Sequence, residues 1–270
     1  MHELIKYIKE RYHPTHYIPV LALVSVTAFH LNPVLFALNS EVLIILLITS
    51  ILFMFRLLDD LGDLKREKEL YPNRVLSKSK KISVYWQLTS ILFLVNTLSL
   101  FWFQKGGDIV YLFVAYTFFL KLYYYKLQDF VPTTYLKTLI PITRYPLTVY
   151  VLLSEHSRAF VSNEIVFFLA FLFFSLRIYD WSHDKALSEH RKIITWLQIL
   201  YGTLLAWGMF AVMNLSGSEF YVLRIFSIIA FVIYVIDFHW KRLLPSFSIL
   251  HLTLILNLAL LLIKQRQSIL

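Results

Sequence analysis

The stretch EVLIILLITSILFMFRLLDDLGDLKREKELYPNRVLS, residues 41–77, decides how this chain is read. Its first part, residues 41–58, is an apolar run of near-spanning length, and in lipid such a run satisfies its backbone groups internally only as a helix. The run ends in the carboxylates Asp59, Asp60, Asp63 and Glu67, with Lys65, Arg66 and Lys68 interleaved around the last of them. An apolar helix leaving a bilayer and meeting a charged aqueous face has this pattern.

Eight further apolar runs flank it, at about residues 17–38, 83–103, 109–127, 132–153, 162–180, 193–215, 220–239 and 243–263. Of 270 residues, 58% are hydrophobic and 16% charged. A soluble domain of this length has no core large enough to hide that much apolar surface, whereas lipid covers it. Aromatic residues make up 17% of the chain, suiting lipid-facing surfaces, interfacial belts and large apolar cavities. The absence of cysteine excludes disulfides, thiolate metal sites and a cysteine nucleophile. The start, MHELIKYIKERYHPTHY, is amphipathic and basic, unlike a cleavable signal peptide. The expected fold is an all-α membrane protein of nine spans in one domain, 1–270, with residues 1–14 as an amphipathic N-terminus.

The connections alternate in charge. Those after the first, third, fifth and seventh spans are short and weakly charged. Those after the second, fourth, sixth and eighth carry Lys65, Arg66, Lys68, Arg74, Lys78, Lys80, Lys81, Lys121, Lys126, Lys137, Lys185, Arg191, Lys192, Lys241 and Arg242. With Lys6, Lys9 and Arg11, one face holds 18 of the 26 basic residues. The positive-inside bias places this face, the N-terminus and the acidic motifs in the cytoplasm, and the C-terminus outside. The net charge of +9 is therefore read as membrane topology, not nucleic-acid binding, since no basic stretch carries a nucleic-acid motif.

A second acidic cluster ends the sixth span, LRIYDWSHDKALSEH, residues 176–190. Asp59 and Asp63 are four residues apart, as are Asp180 and Asp184, so each pair projects from one helical face. Arg56 and Arg177 stand three residues before them. The repeated R-x-x-D-x-x-x-D reads as the trace of an internal parallel duplication. Like charges at this spacing repel, and charges at membrane depth are costly without partners. A hard cation answers both, because Mg²⁺ takes carboxylate oxygens and fills its octahedron with water and substrate phosphate. An ordinary solvated helix end, balanced by neighbouring arginines and lysines, is the plain alternative for either cluster alone.

The first cluster, Asp59-Asp60-x-x-Asp63-x-x-x-Glu67, is continued by Tyr71-Pro72-Asn73-Arg74-Val75-Leu76-Ser77. Together they resemble the UbiA superfamily of intramembrane prenyltransferases, whose pattern is N-D-x-x-D-x-x-x-D followed by a segment like K-P-N-R-P-L. The family's D-x-x-x-D is matched by Asp180 and Asp184. The departures are chemically mild: Asp59 stands for Asn, Glu67 for Asp and Val75 for Pro. The resemblance implies nine helices around an apolar cavity, capped by the loops at 61–82 and 181–192. It also implies transfer of a prenyl group from an isoprenyl diphosphate to an aromatic or otherwise lipophilic acceptor. Carried over by position, Asp59, Asp63, Asp180 and Asp184 are the expected catalytic magnesium ligands, with Asp60 and Glu67 as supports. Two Mg²⁺ ions are expected, and Mn²⁺ as a substitute.

Arg74 matches the family segment and is expected on the diphosphate, together with Lys126 and Arg144. Lys126 follows three tyrosines, one residue out of register with the family's Y-x-x-x-K. Arg144 lies deep in the fifth span, where it needs either the diphosphate or an acidic partner. Arg56 and Arg177 are expected to orient their neighbouring aspartates. The rival readings are a membrane transporter or scaffold, and another Mg²⁺-dependent membrane transferase acting on a phosphorylated lipid.

Overall fold

The computed structural model describes residues 2–12, 14–32, 41–104, 107–131, 137, 139–153 and scattered positions between 165 and 177. The expected seventh to ninth spans, the 181–192 loop, and Asp180 and Asp184 lie outside the described residues. The described residues are helical and contain no strand. The helices are α1 (His2–Arg11), α2 (Pro14–Leu31), α3 (Glu41–Gly62), α4 (Leu64–Leu70), α5 (Val75–Lys78), α6 (Ile82–Gln104), α7 (Gly107–Leu122), α8 (Leu139–Ile142) and α9 (Arg144–Tyr150). A π-helical turn, Tyr123–Leu127, and a 3₁₀ turn, Gln128–Phe130, prolong α7.

The chain forms two compact units, one of Met1–Leu21 with Ser40–Ala159 and one of Ala22–Asn39 with Phe160–Leu270. In the second unit, α2 buries Leu23, Val24, Ala28 and Leu31, and Thr27 returns its hydroxyl to the Leu23 carbonyl at 2.7 Å. Ile165, Phe168, Leu172 and Leu176 are also buried there, at helical spacing, as is Arg177.

The first unit carries the acidic motif. Two of its helical stretches, Val42–Gly62 and Ile82–Phe103, are long and apolar enough to cross a bilayer. The first half of α3 leaves Val42, Leu43, Ile45 and Leu46 exposed, whereas its second half buries Ile48, Ile51, Met54 and Phe55 almost fully. Along α6 the exposed side includes Leu94, Leu98, Phe101 and Trp102, the last at 81% exposure. An exposed apolar stripe of this length suits contact with lipid or with another protein surface.

Element ends follow local chemistry. Pro14 opens α2, where its missing N–H loses no helical bond. The apolar run at 132–153, expected as one span, is broken among the described residues into α8 and α9 around Thr143. Pro146 has no N–H for the Ile142 carbonyl four residues back, so the helix cannot run straight through. Thr143 instead closes a tighter turn, donating its N–H to the Ile140 carbonyl at 3.1 Å.

Candidate functional site

The end of α3 presents three faces, because successive residues are rotated by roughly 100°. Leu57 and Leu61 face a core shared with Tyr7, Leu76 and Tyr85, so α1, α3, α5 and α6 meet beneath the motif. Asp59 and Asp63 share a second face. Asp60 and Glu67 share a third, turned toward α1. Arg56 lies angularly between the last two and touches both aspartate positions, at 3.5 Å from Asp59 Oδ2 and 3.3 Å from Asp60 Oδ1.

On the second face, Asp59 Oδ2 receives Arg144 Nη1 at 3.0 Å, and Asp59 Oδ1 accepts a short hydrogen bond from the Tyr124 hydroxyl. Gln128 Nε2 donates to Asp63 Oδ1 at 2.6 Å. Tyr124 and Gln128 are four residues apart, as are their partners. The π turn and the 3₁₀ turn therefore run in register with the end of α3, and a widened turn in this position is a common device for re-aiming side chains. The Arg144 guanidinium is buried, donates to the Tyr145 hydroxyl at 3.2 Å and lies 4.9 Å from that ring's centre. Asp63 Oδ2 is the least engaged oxygen of the described motif, with Arg66 at 3.9 Å. Burial, and then the charge of Asp59, raise the Asp63 carboxyl above its ordinary pKa.

The third face is closed by the N-terminal helix. Arg11 grips Asp60 with Nε at 2.8 Å from Oδ2 and Nη2 at 2.9 Å from Oδ1, and Nη2 also lies 3.0 Å from Glu67 Oε1. The Tyr7 hydroxyl donates to Asp60 Oδ2 at 2.7 Å. Arg74 donates to Glu67 Oε1 at 2.6 Å and stacks on the Tyr71 ring at 3.6 Å. Glu10 accepts the Val75 N–H at 2.9 Å, tying α1 to the start of α5.

Burial alone would raise the Glu67 carboxyl, but Arg11 and Arg74 outweigh it and hold the group below its ordinary value of 4.5. The stability this pairing contributes is present above about pH 4.5 and is lost as the pH falls through the lowered value. Glu67→Gln should therefore show a flatter loss of thermal stability on acidification than the native chain. An equal slope in both would contradict the pairing.

Gly62 makes the second face possible. A Cβ there would lie 2.6 Å from Tyr124 Cβ and press on the root of the ring, which cannot swing aside. Gly62→Ala should cost about 1–3 kcal/mol by overpacking, which exceeds the helix-propensity gain of about 1 kcal/mol. In a Tyr124→Gly background, which removes that Cβ as well as the ring, the same change should become neutral or stabilising. Thermal melts of the three variants would read the sign reversal.

The sequence-expected residues divide accordingly. Asp59, Asp60, Glu67, Arg74 and Arg144 belong to one network joined through Arg56 and Arg11, with Arg74 on Glu67 and Arg144 on Asp59, and Asp63 stands beside it on Gln128 and Arg66. Lys126 is exposed, and Tyr124 of the same aromatic run reaches the motif in its place. The sequence reading missed Arg11, Tyr7, Gln128 and Tyr124; only the tyrosine run before Lys126 signalled any of them.

Among the described residues, no three His, Cys, Asp or Glu side chains gather as a group able to hold a metal ion. The described half offers two carboxylates on one face, Asp59 and Asp63. That suits Mg²⁺, which commonly takes one or two carboxylates and completes its shell with water and phosphate. Asp60 and Glu67 are instead engaged by Arg11 and Arg74. Comparisons of the chain with protein-family models, with curated proteins and with solved structures each returned no match.

Proposed function

We propose that this protein is a Mg²⁺-dependent intramembrane prenyltransferase of the UbiA type, built on nine membrane spans with its acidic motifs facing the cytoplasm. One observation carries the reading. Asp59 and Asp63 share one face at the end of an apolar, span-length helix, and the buried cation Arg144 lies against Asp59. The DDxxD-to-NRVLS segment at 59–77 supports the same reading from sequence.

In this reading the substrate's C1–O bond breaks, the electron pair leaves with the diphosphate, and the acceptor atom that bonds to the allylic carbon gives up a proton. Asp59 and Asp63 would hold Mg²⁺, as would Asp180 and Asp184 by their place in the sequence motif, and the ion would supply positive charge to offset that growing on the departing diphosphate. Arg144 adds a fixed cation beside that site, and Tyr124 and Gln128 hold the two carboxylates in position. Arg74, beyond its bond to Glu67, stands in the segment that would lie over the diphosphate. Apolar walls keep water from the allylic cation, and aromatic faces stabilise it.

The test is a set of isoprenyl diphosphates of different lengths, incubated with the protein in membrane extract and Mg²⁺, with products read by mass spectrometry. A prenylated lipophilic product, absent from extract lacking the protein, is expected. Failure of every chain length to yield one would contradict the proposal.

A further inference from the structure

We propose that Arg11, assisted by Tyr7, is a positioning residue of the acidic motif: it holds Asp60 and Glu67 away from the metal set and fixes the geometry of Asp59 and Asp63. This rests on the metal reading given above. The DDxxDxxxE run then divides into a ligand face and a structural face.

Three observations carry the inference. First, Asp60 is saturated: both its oxygens take the Arg11 fork, Tyr7 adds a hydroxyl donor at 2.7 Å and Arg56 a cation at 3.3 Å. Its side chain is 3% exposed and that of Arg11 8%, so little water competes for this pair. Bidentate arginine–carboxylate pairs are among the strongest and most directional contacts in proteins. Second, Arg11 spans a joint. Asp60 belongs to α3 and Glu67 to α4, and the break between these helices falls at Asp63, which precedes the first residue of α4. One guanidinium therefore ties together the two helices whose junction places Asp63 relative to Asp59. Third, Arg56 is shared between Asp59 and Asp60. Without Arg11, the under-neutralised Asp60 would draw Arg56 from Asp59 and disturb the ligand face directly.

The experiment measures Mn²⁺ affinity of the full chain in detergent by the loss of the free-ion electron paramagnetic resonance signal. Isoprenyl diphosphate kcat and KM are measured alongside. Arg11→Ala and Asp60→Asn should each weaken Mn²⁺ binding about tenfold, within the range seen when the support behind a metal ligand is removed. The double variant should be no worse than either single one. Arg11→Lys should recover part of the loss, and Tyr7→Phe should show a smaller loss, so the inference stays testable if Arg11→Ala fails to fold.

Tighter or unchanged Mn²⁺ binding in the Arg11 variants would overturn the proposal. So would an Asp60→Asn variant as defective as Asp63→Ala, because Asp60 would then be a ligand. Native protein that binds no Mn²⁺ would overturn the metal reading itself, a result distinct from both.

Discussion

Arg144→Met is expected to be strongly destabilising, on the scale of losing a buried core side chain. Breaking a buried ion pair by removing one partner typically costs about 3–5 kcal/mol, because the surviving charge is left uncompensated. Among the described residues, Asp59 would keep Arg56, at 3.5 Å, and the Tyr124 hydroxyl. The remaining cation places the expected cost near the lower end, about 3 kcal/mol. Adding Asp59→Asn should recover much of it, since replacing both members of a buried pair is far milder than stranding one. A double-mutant cycle on thermal unfolding in detergent measures this coupling. Strictly additive losses would show that the 3.0 Å contact does not govern the site's stability.

Asp63→Ala should do the reverse: a small effect on stability and a large one on turnover. Its side chain is 23% exposed, and its partners are Gln128 at 2.6 Å and Arg66 at 3.9 Å, so no buried cation is stranded by its loss. Its raised carboxyl shows that the fold disfavours the charge it carries there. A carboxyl whose surroundings disfavour its charge suits a cation's ligand better than a structural prop. Removing a group that organises charge stabilisation of a leaving diphosphate should lower kcat by at least about a hundredfold. Unfolding midpoints and turnover measured on the same preparation separate the two effects. A variant that loses stability but keeps turnover would assign Asp63 to the scaffold.

Several elements were legible from residue order alone. The apolar run ending at Asp59 read as a span-length helix, and α3 is one, extended to Gly62 because Leu57, Leu58 and Leu61 keep burying an apolar face past the first aspartates. The i, i+3 relation of Arg56 to Asp59 was legible because helical neighbours are set by local geometry. That Arg144 needed a partner was also legible, from the cost of a lone charge in an apolar run. Its partner was not, since Asp59 lies 85 positions away and no local rule links them. Arg11 and Tyr7 looked like parts of an ordinary basic amphipathic segment; only the return of α1 onto α3 gives them a role. That Tyr124 and Gln128 would reach the motif was not legible, because the π turn at Tyr123–Leu127 is what turns them toward it. The break at Thr143 was written in Pro146, yet the apolar run around it read as continuous.

The most direct measurement is release of inorganic diphosphate from an isoprenyl diphosphate by purified protein, with Mg²⁺, with a chelator, and in Asp63→Ala. Release should require Mg²⁺ or Mn²⁺, stop with the chelator and fall at least about a hundredfold in the variant, while native chain and variant unfold at closely similar midpoints in the chelator. Equal release under all three conditions, or none under any, would contradict a magnesium-diphosphate site at the end of α3.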